Sequence, residues 1–420
     1  MSTPPPPFVD PESLPHADPR AVALRLTPAA ERTVRAGHPW VFDGSIVSSS
    51  RAAEPGDRVV VFDRKNRFLA AGLHDPEGPI RARLLVHGKP ATIGPDLYRT
   101  RLETALALRS NVASAQTTGF RVLHGENDGM PGLVADLYER TLVVEIFTTA
   151  WVPHLRDLVP VFEEMLAPER ILLLVSRAVA GSPHTPPSLA AGAVLAGDGF
   201  EGGIPFLEAG LHFEAHPFEG HKTGFYLDQR ENRRMLGSLA EGKRVLNVFS
   251  YTGGFSLNAA RGGATEVVSV DRADPVLAQA RRHFDLNASD PGVAACRHQT
   301  VRGDAFEVMT EMAGRREVFD IVVVDPPSFA RSASHRPQAL AAYARLTTLA
   351  LSLLPKNGLL VQASCSSRVA AGEFHDTVHR AARSAGRPLS EIERTGHAPD
   401  HPVGFPEGEY LKCLWARVEG

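Results

Sequence analysis

Between residues 243 and 386 the chain alternates strand-like and helix-like segments without a break. It reads "KRVLNVF", "GFSLNAARGG", "TEVVSVD", "PVLAQARRHFDLNA", "ACRHQTV", "AFEVMTEMA", "FDIVVVD", "PQALAAYARLTTLALSLL", "GLLVQAS" and "GEFHDTVHRAARSAG". Short apolar β-branched runs separated by helices require a parallel sheet covered on both faces. A doubly wound α/β domain is therefore expected over residues 204–420. In such a sheet ligands bind beyond the carboxyl ends of the strands, near the point where the strand order reverses.

The preceding residues have other patterns. Residues 1–20, "MSTPPPPFVDPESLPHADPR", are rich in proline and acid and are expected to be a disordered leader. They carry neither the basic nor the apolar region of a secretion signal. Residues 21–93 hold "AVALRL", "PWVFDGSIV", "DRVVVFD", "RFLAAGL" and "IRARLLV", split by turn-forming clusters. Closely spaced short strands suggest a small barrel. Its scattered arginines (Arg25, Arg32, Arg35, Arg51, Arg58, Arg81, Arg83) fit either a solvated surface or a small RNA-binding module. Residues 105–200 form a third zone, with a hairpin turning at Glu139 and Arg140, a helix in "HLRDLVPVFEEML" and a strand in "ERILLLVSR". The Gly- and Pro-rich stretch 180–203 is expected to be an exposed linker or long loop.

With 420 residues, two or three domains are expected. No run approaches the roughly 18 apolar residues of a membrane span. Three cysteines without paired spacing point away from a disulfide framework and a zinc cluster, hence to no metal and a reducing cytoplasm. Net charge is −3, from 45 basic and 48 acidic residues, which neither requires nor excludes a polyanionic partner.

The strand ends carry an ordered series of residues. In "VLNVFSYTGGFSLNAA", Gly253 and Gly254 open a helix where backbone can approach a ligand, although Tyr251 stands where glycine is common. Asp271 ends the next strand, Asp304 follows another in "RGD", and Asp325 ends "IVVVD". Asp271 and Asp304 also suit helix N-caps, but the series favours a nucleotide-like ligand. Without a phosphate-binding lysine or a full dinucleotide fingerprint, S-adenosylmethionine fits better than NAD.

"KTGFYLDQRENRRML", "LNVFSYTGGFSLNAARGGATEVVSVD", "DPPSF" and "EGEYLKC", with "GHPWVFDGSI" and "LHGENDGMPGLVADLY" upstream, resemble the RlmI-type ribosomal RNA methyltransferases. The resemblance covers nearly the whole chain except the leader and 180–203. It implies an N-terminal PUA-like β-barrel, a small α+β middle domain and a Rossmann-like class I methyltransferase domain. It implies methyl transfer from S-adenosylmethionine to carbon 5 of a cytidine in large-subunit (23S) rRNA. By that resemblance Phe249, Ser250, Tyr251 and Gly253 line the cofactor loop, Asp271 holds ribose, Asp304 lies near adenine, and Asp325 stands at the edge of cofactor and substrate. Gln229 and Arg230 of "LDQR" border the same cleft. A homodimer is one assembly open to such a chain.

Carbon 5 of cytosine is a poor nucleophile until a thiolate adds to carbon 6, so this chemistry needs a cysteine. Cys365, in "VQASCSSR", follows a strand on the edge that carries Asp325; by position alone it is a buried strand-end cysteine or a nucleophile. The family's "SCS" favours the nucleophile, with Asp325 on the cytosine edge as the second catalytic residue. A nearby cation or helix N-terminus would favour thiolate. Cys296 and Cys413 are expected to be structural. Where many RNA cytosine-5 methyltransferases have a second cysteine after the prolines, Ser328 stands here. Lys222, Arg230, Arg233 and Arg331 are candidate RNA contacts, with Phe225 and Tyr226 as stacking rings; a solvated basic helix face explains Arg233 and Arg234 equally. Two rival functions are a guanosine N7 rRNA methyltransferase of the related RlmK type, which needs no cysteine, and a non-catalytic RNA-binding protein.

Overall fold

A computed structural model describes residues 6–199, 201–330 and 332–419, without the side chain of Ala333. The chain divides into two compact units, the first of Met1–Gly210, Glu214–Leu227 and Pro399–Phe405, the second of Leu211–Phe213, Asp228–Ala398 and Pro406–Gly420.

The first unit contains two sheets. β1 (Val22–Leu26), α1 (Pro28–Arg35), β2 (Trp40–Phe42), β3 (Ile46–Ser49), β4 (Arg58–Phe62), β5 (Phe68–His74) and β6 (Ile80–His87) build a six-stranded sheet ordered β2-β6-β5-β4-β1-β3. Alternate residues Val22, Leu24 and Leu26 and their partners Val59 and Val61 point into one core. "PWVFDGSIV" is two strands, broken by a turn at Asp43–Ser45.

α2 (Pro95–Leu108), β7 (Gly119–His124), β8 (Leu133–Tyr138), β9 (Thr141–Ile146), α3 (Leu155–Leu166), β10 (Arg170–Val175), α4 (Arg177–Ala180) and β11 (Ala193–Ala196) form the second sheet, ordered β11-β10-β9-β8-β7. The hairpin turns at Glu139 as the sequence predicts, with φ 53°. Two expectations are corrected here. The supposed linker or loop contains β11, which pairs antiparallel with β10 and buries Ala193, Val194 and Leu195. The supposed leader is seated over residues 7–14: Val9 N donates to the Val194 carbonyl at 2.9 Å, and Val9 and Leu14 are buried. Two apolar side chains among the prolines suffice to hold it, each stabilising by about 1.5–3 kcal/mol when fully buried. Residues 1–5 of that stretch lie outside the described residues.

β12 (Ile204–Glu208) and β13 (Leu211–Ala215) follow in the chain. The second unit then runs α5 (Arg230–Leu239), β14 (Arg244–Val248), α6 (Gly254–Arg261), β15 (Glu266–Asp271), α7 (Asp274–Leu286), α8 (Pro291–Ala295), β16 (Arg297–Arg302), α9 (Ala305–Gly314), β17 (Ile321–Val324), α10 (Arg336–Ser352), β18 (Leu359–Ser364), α11 (Ala371–Ser384), β19 (Leu389–Thr395) and β20 (Lys412–Val418). Its seven strands are ordered β16-β15-β14-β17-β18-β20-β19. Both faces are covered. On β17, Ile321 and Val323 join the core with Leu236 and Ala259, while Val322 and Val324 join that with Met309, Leu346 and Val378.

The first five strands of this sheet are parallel, as expected. The reversed strand is β20, which runs antiparallel to both its neighbours, β18 and β19. A parallel pair needs a crossover helix, and residues 396–411 between β19 and β20 contain only a three-residue helical turn. The strand order reverses between β14 and β17, which sets the ligand edge at Val248 and Val324.

Candidate active site

The loop leaving β14 has an alternating backbone. Phe249 (φ 59°), Tyr251 (φ 47°) and Gly253 (φ 77°) all adopt left-handed conformations. That is the reason glycine suits position 251: a side chain there is strained, and such strain persists only where neighbours hold it. Asp271 supplies the hold, its Oδ2 accepting the Tyr251 N–H at 3.0 Å and its Oδ1 the Ala273 N–H at 3.0 Å. A Cβ on Gly253 would lie 2.9 Å from that of Ala280, so the turn admits no side chain without displacing α7. The hydroxyls of Ser250 and Thr252 are buried in this loop with no partner among the described residues. Each unpaired buried hydroxyl is costly unless something else satisfies it.

Asp304 is exposed and caps α9, accepting the Phe306 N–H at 2.9 Å. Asp304 thus serves as a cap, one of the two roles its position allows, whereas Asp271 holds the β14–α6 loop instead of capping α7. Asp325 stands one residue beyond β17, its N–H 3.4 Å from the Val248 carbonyl at the reversal point. Gln229 donates from Nε2 to Asp325 Oδ2 at 3.0 Å. Asp228 beside it accepts the Tyr410 hydroxyl at 2.8 Å, which ties "LDQR" to "EGEYLKC".

Cys365 is half-buried just past β18, with Sγ 3.7 Å from the Pro326 carbonyl. The thiol thus adjoins the "DPP" segment. The cation that sequence reasoning missed is Lys412: 3% exposed, paired with Ser364 across β18 and β20, it donates from Nζ to the Ser366 carbonyl. Burial pulls its pKa down, while Glu409 and Cys365 pull it back up. The available signal was a lysine inside the otherwise apolar "YLKCLW". Burial pushes Cys296 up to about 11 and Cys413 well above the usual thiol range, so both stay protonated near neutrality.

The expected RNA contacts fare unevenly. Lys222 is half-buried, its ammonium 4.7 Å from the Tyr226 ring centre. Phe225 is buried and offers no stacking face. Arg230 and Arg233 are 5% and 2% exposed, so neither is a solvated surface cation; both lie on the buried face of α5 with Asn232 and Leu236. Arg234 is the exposed member, paired with Glu231 at 3.6 Å. Arg331 lies outside the described residues. Among the described residues no group of His, Cys, Asp and Glu converges as a metal site, and no helix is long and apolar enough to cross a membrane.

Residues 120–417 match the family model of S-adenosylmethionine-dependent methyltransferases, and residues 24–87 that of a PUA-like domain. The chain belongs to the RlmI-type S-adenosylmethionine-dependent methyltransferases. It is 43% identical over 412 residues to a ribosomal RNA large subunit methyltransferase of Deinococcus radiodurans, covering 97% of this chain and 100% of that protein. It is 36% identical to ribosomal RNA large subunit methyltransferase I of Photobacterium profundum, covering 93% and 98%. A Streptococcus mutans structure described as an S-adenosylmethionine-dependent methyltransferase shares the fold, with a TM-score of 0.79 at 22% identity and coverage of 94% and 100%. The PUA-like match falls on the six-stranded sheet, and the methyltransferase match ends in β20.

The loop of this methyltransferase fits S-adenosylmethionine. The buried hydroxyls of Ser250 and Thr252 want partners, the N-terminus of α6 follows, and Asp271 brings carboxylate oxygens to the same loop.

Proposed function

We propose that this methyltransferase forms 5-methylcytidine in large-subunit rRNA, with Cys365 as nucleophile and Asp325 on the base edge. Phe249, Ser250, Tyr251, Gly253 and Asp271 hold S-adenosylmethionine, which supplies an electrophilic methyl group on a sulfonium. The names of the relatives carry the substrate class, large-subunit rRNA. The single observation that carries the chemistry is the thiol of Cys365 beside the Pro326 carbonyl, one residue from Asp325.

The Cys365 thiolate bonds to carbon 6 of the flipped cytosine, leaving carbon 5 enamine-like. Carbon 5 takes the methyl group as the bond from the methyl carbon to the sulfonium breaks and the sulfur leaves as a neutral thioether. The carbon 5 proton then passes to the Asp325 carboxylate or to water, the carbon–sulfur bond breaks, and the ring double bond returns with the thiolate. Lys412 favours the anionic sulfur at both ends of this sequence. Methylation at guanosine N7 would use a lone pair already present and would leave Cys365 idle.

Nucleoside mass spectrometry of rRNA treated with wild type and Cys365→Ala tests the reading. Wild type yields 5-methylcytidine, and Cys365→Ala yields none while still binding S-adenosylmethionine. Full methylation by Cys365→Ala rules out the covalent route, and 7-methylguanosine in its place favours the RlmK-like chemistry.

A further inference from the structure

Behind Asp325 lies a row of hydrogen bonds that all run in one direction. Trp415 Nε1 donates to Thr395 Oγ1 at 3.0 Å, and Thr395 Oγ1 donates to Asn232 Oδ1 at 2.6 Å. Asn232 Nδ2 donates to Gln229 Oε1 at 2.6 Å, and Gln229 Nε2 donates to Asp325 Oδ2 at 3.0 Å. Trp415, Asn232 and Gln229 are 0%, 1% and 3% exposed, and Thr395 is half-buried, so the part of the row next to Asp325 is shielded from water.

Its direction is forced from one end. An indole N–H can only donate, so Thr395 accepts from it; of its other two partners the Asn232 amide oxygen, at 2.6 Å, is a far stronger acceptor than the Cys413 thiol and takes the hydroxyl proton. Asn232 must then turn its amide nitrogen to Gln229, and Gln229 its own to Asp325. Each amide has one orientation that satisfies both neighbours, and the row delivers a donor to Oδ2. That oxygen is thereby fixed as an acceptor, so any proton on the carboxyl has to reside on Oδ1. Bonds in such a row polarise one another, and a donor to the carboxylate favours the ionised form.

We infer that Trp415, Thr395, Asn232 and Gln229 are positioning residues for Asp325, holding its carboxylate ionised and in one orientation toward the substrate base. None of the first three touches substrate; they act through Gln229. The inference rests on the reading of Asp325 as a substrate-facing group.

Asn232→Asp is the sharpest probe. A carboxylate at 232 accepts from Thr395 as before but cannot donate to Gln229. Gln229 then turns its amide nitrogen to residue 232 and its carbonyl oxygen to Asp325, which reverses the row at unchanged size. The expected result, with an rRNA substrate at saturation, is a kcat lower by about 10- to 100-fold, with the Kd for S-adenosylmethionine and the KM for RNA within about threefold of wild type. Thr395→Ser, which keeps the hydroxyl, retains kcat within about threefold. If Asn232→Asp does not fold, Thr395→Val, which breaks the row without adding charge, takes its place in the same comparison. An unchanged kcat overturns the inference. So does a fall in cofactor affinity in step with kcat, because a general loss of structure would produce that. The methylated nucleoside made by wild type is identified in the same assay. A product other than 5-methylcytidine defeats the cytosine reading, while the kcat and Kd comparison still judges the row.

Discussion

Replacing Lys412 with methionine separates the charge of that side chain from its volume. Lys412 is 3% exposed, its Nζ bonded to the Ser366 carbonyl, and its strand partner Ser364 immediately precedes Cys365. Two opposite effects on folding nearly cancel. Methionine removes the penalty of burying a charge, and the Ser366 carbonyl loses a donor, at a cost of about 1–3 kcal/mol. The effect on the thiol has one sign. Cys365 lies among Lys412, Asp325 and Tyr343, and Lys412 is the cation of the three. A unit charge several ångströms away at a protein-like dielectric is worth on the order of 2 kcal/mol, or roughly thirtyfold in the fraction present as thiolate. Alkylation of Cys365 by iodoacetamide, followed by peptide mass spectrometry from pH 6 to 10, reads that fraction without relying on methyl transfer. Lys412→Met should slow alkylation at neutral pH by about 10- to 100-fold and approach the wild-type rate at high pH. Methyl transfer should fall in parallel at neutral pH and recover in part on the alkaline side. Superimposable alkylation profiles for the two proteins would refute the role of Lys412, as would a loss of methylation equal at every pH.

Other consequences are simpler to test. Asp271→Asn keeps an oxygen for the Tyr251 N–H but loses the charge that we propose meets the cofactor's ribose; calorimetry should find S-adenosylmethionine bound about 10- to 100-fold more weakly, and an unchanged Kd would remove Asp271 from the cofactor site. Burial pushes Glu145 up to about 7, Arg121 and Lys222 opposing and Asp136 reinforcing. Between about 4.5 and about 7 the folded chain binds a proton that the unfolded chain has released, so stability falls as pH rises through that window. Glu145→Gln should flatten this slope in urea midpoints measured from pH 4.5 to 8, and parallel slopes in both proteins would contradict it.

How far the fold could be read from sequence depended on the range of the interaction. Periodicity placed β14 to β18 and their helices, because each strand announces its own two-faced burial within a few residues. The same local cues located Asp271 and Asp325 at strand ends and made residue 251 conspicuous before its left-handed φ was known. Two proline-rich stretches misled for the same reason: composition averaged over 20 residues hid Val9, Leu14 and the four residues of β11, which pair with strands far away. The polar row behind Asp325 could not be read locally at all. Thr395 and Asn232 are 163 positions apart, and Tyr410 and Asp228 are 182 apart, so no spacing rule connects them. Arg230 and Arg233 looked like surface cations because charge in a sequence reports solvent preference, and an arginine whose head finds partners can be enclosed.

The position of β20 has a consequence for how the molecule comes into being. Of the seven strands it is the latest in sequence, yet it lies between β18 and β19 instead of at a sheet edge. During synthesis β18 therefore waits with one side unpaired, and β19 has no neighbour, until residues 412–418 have left the ribosome. The same strand delivers Lys412 to the Cys365 neighbourhood and Trp415 to the head of the row behind Asp325. Sheet closure and assembly of the reactive edge are thus one late event, and the thiol lacks its cation for as long as the chain is unfinished. A cut that removes only this strand would split the sheet through its interior, so even a small loss there should be felt as a failure to fold and not as a trimmed end.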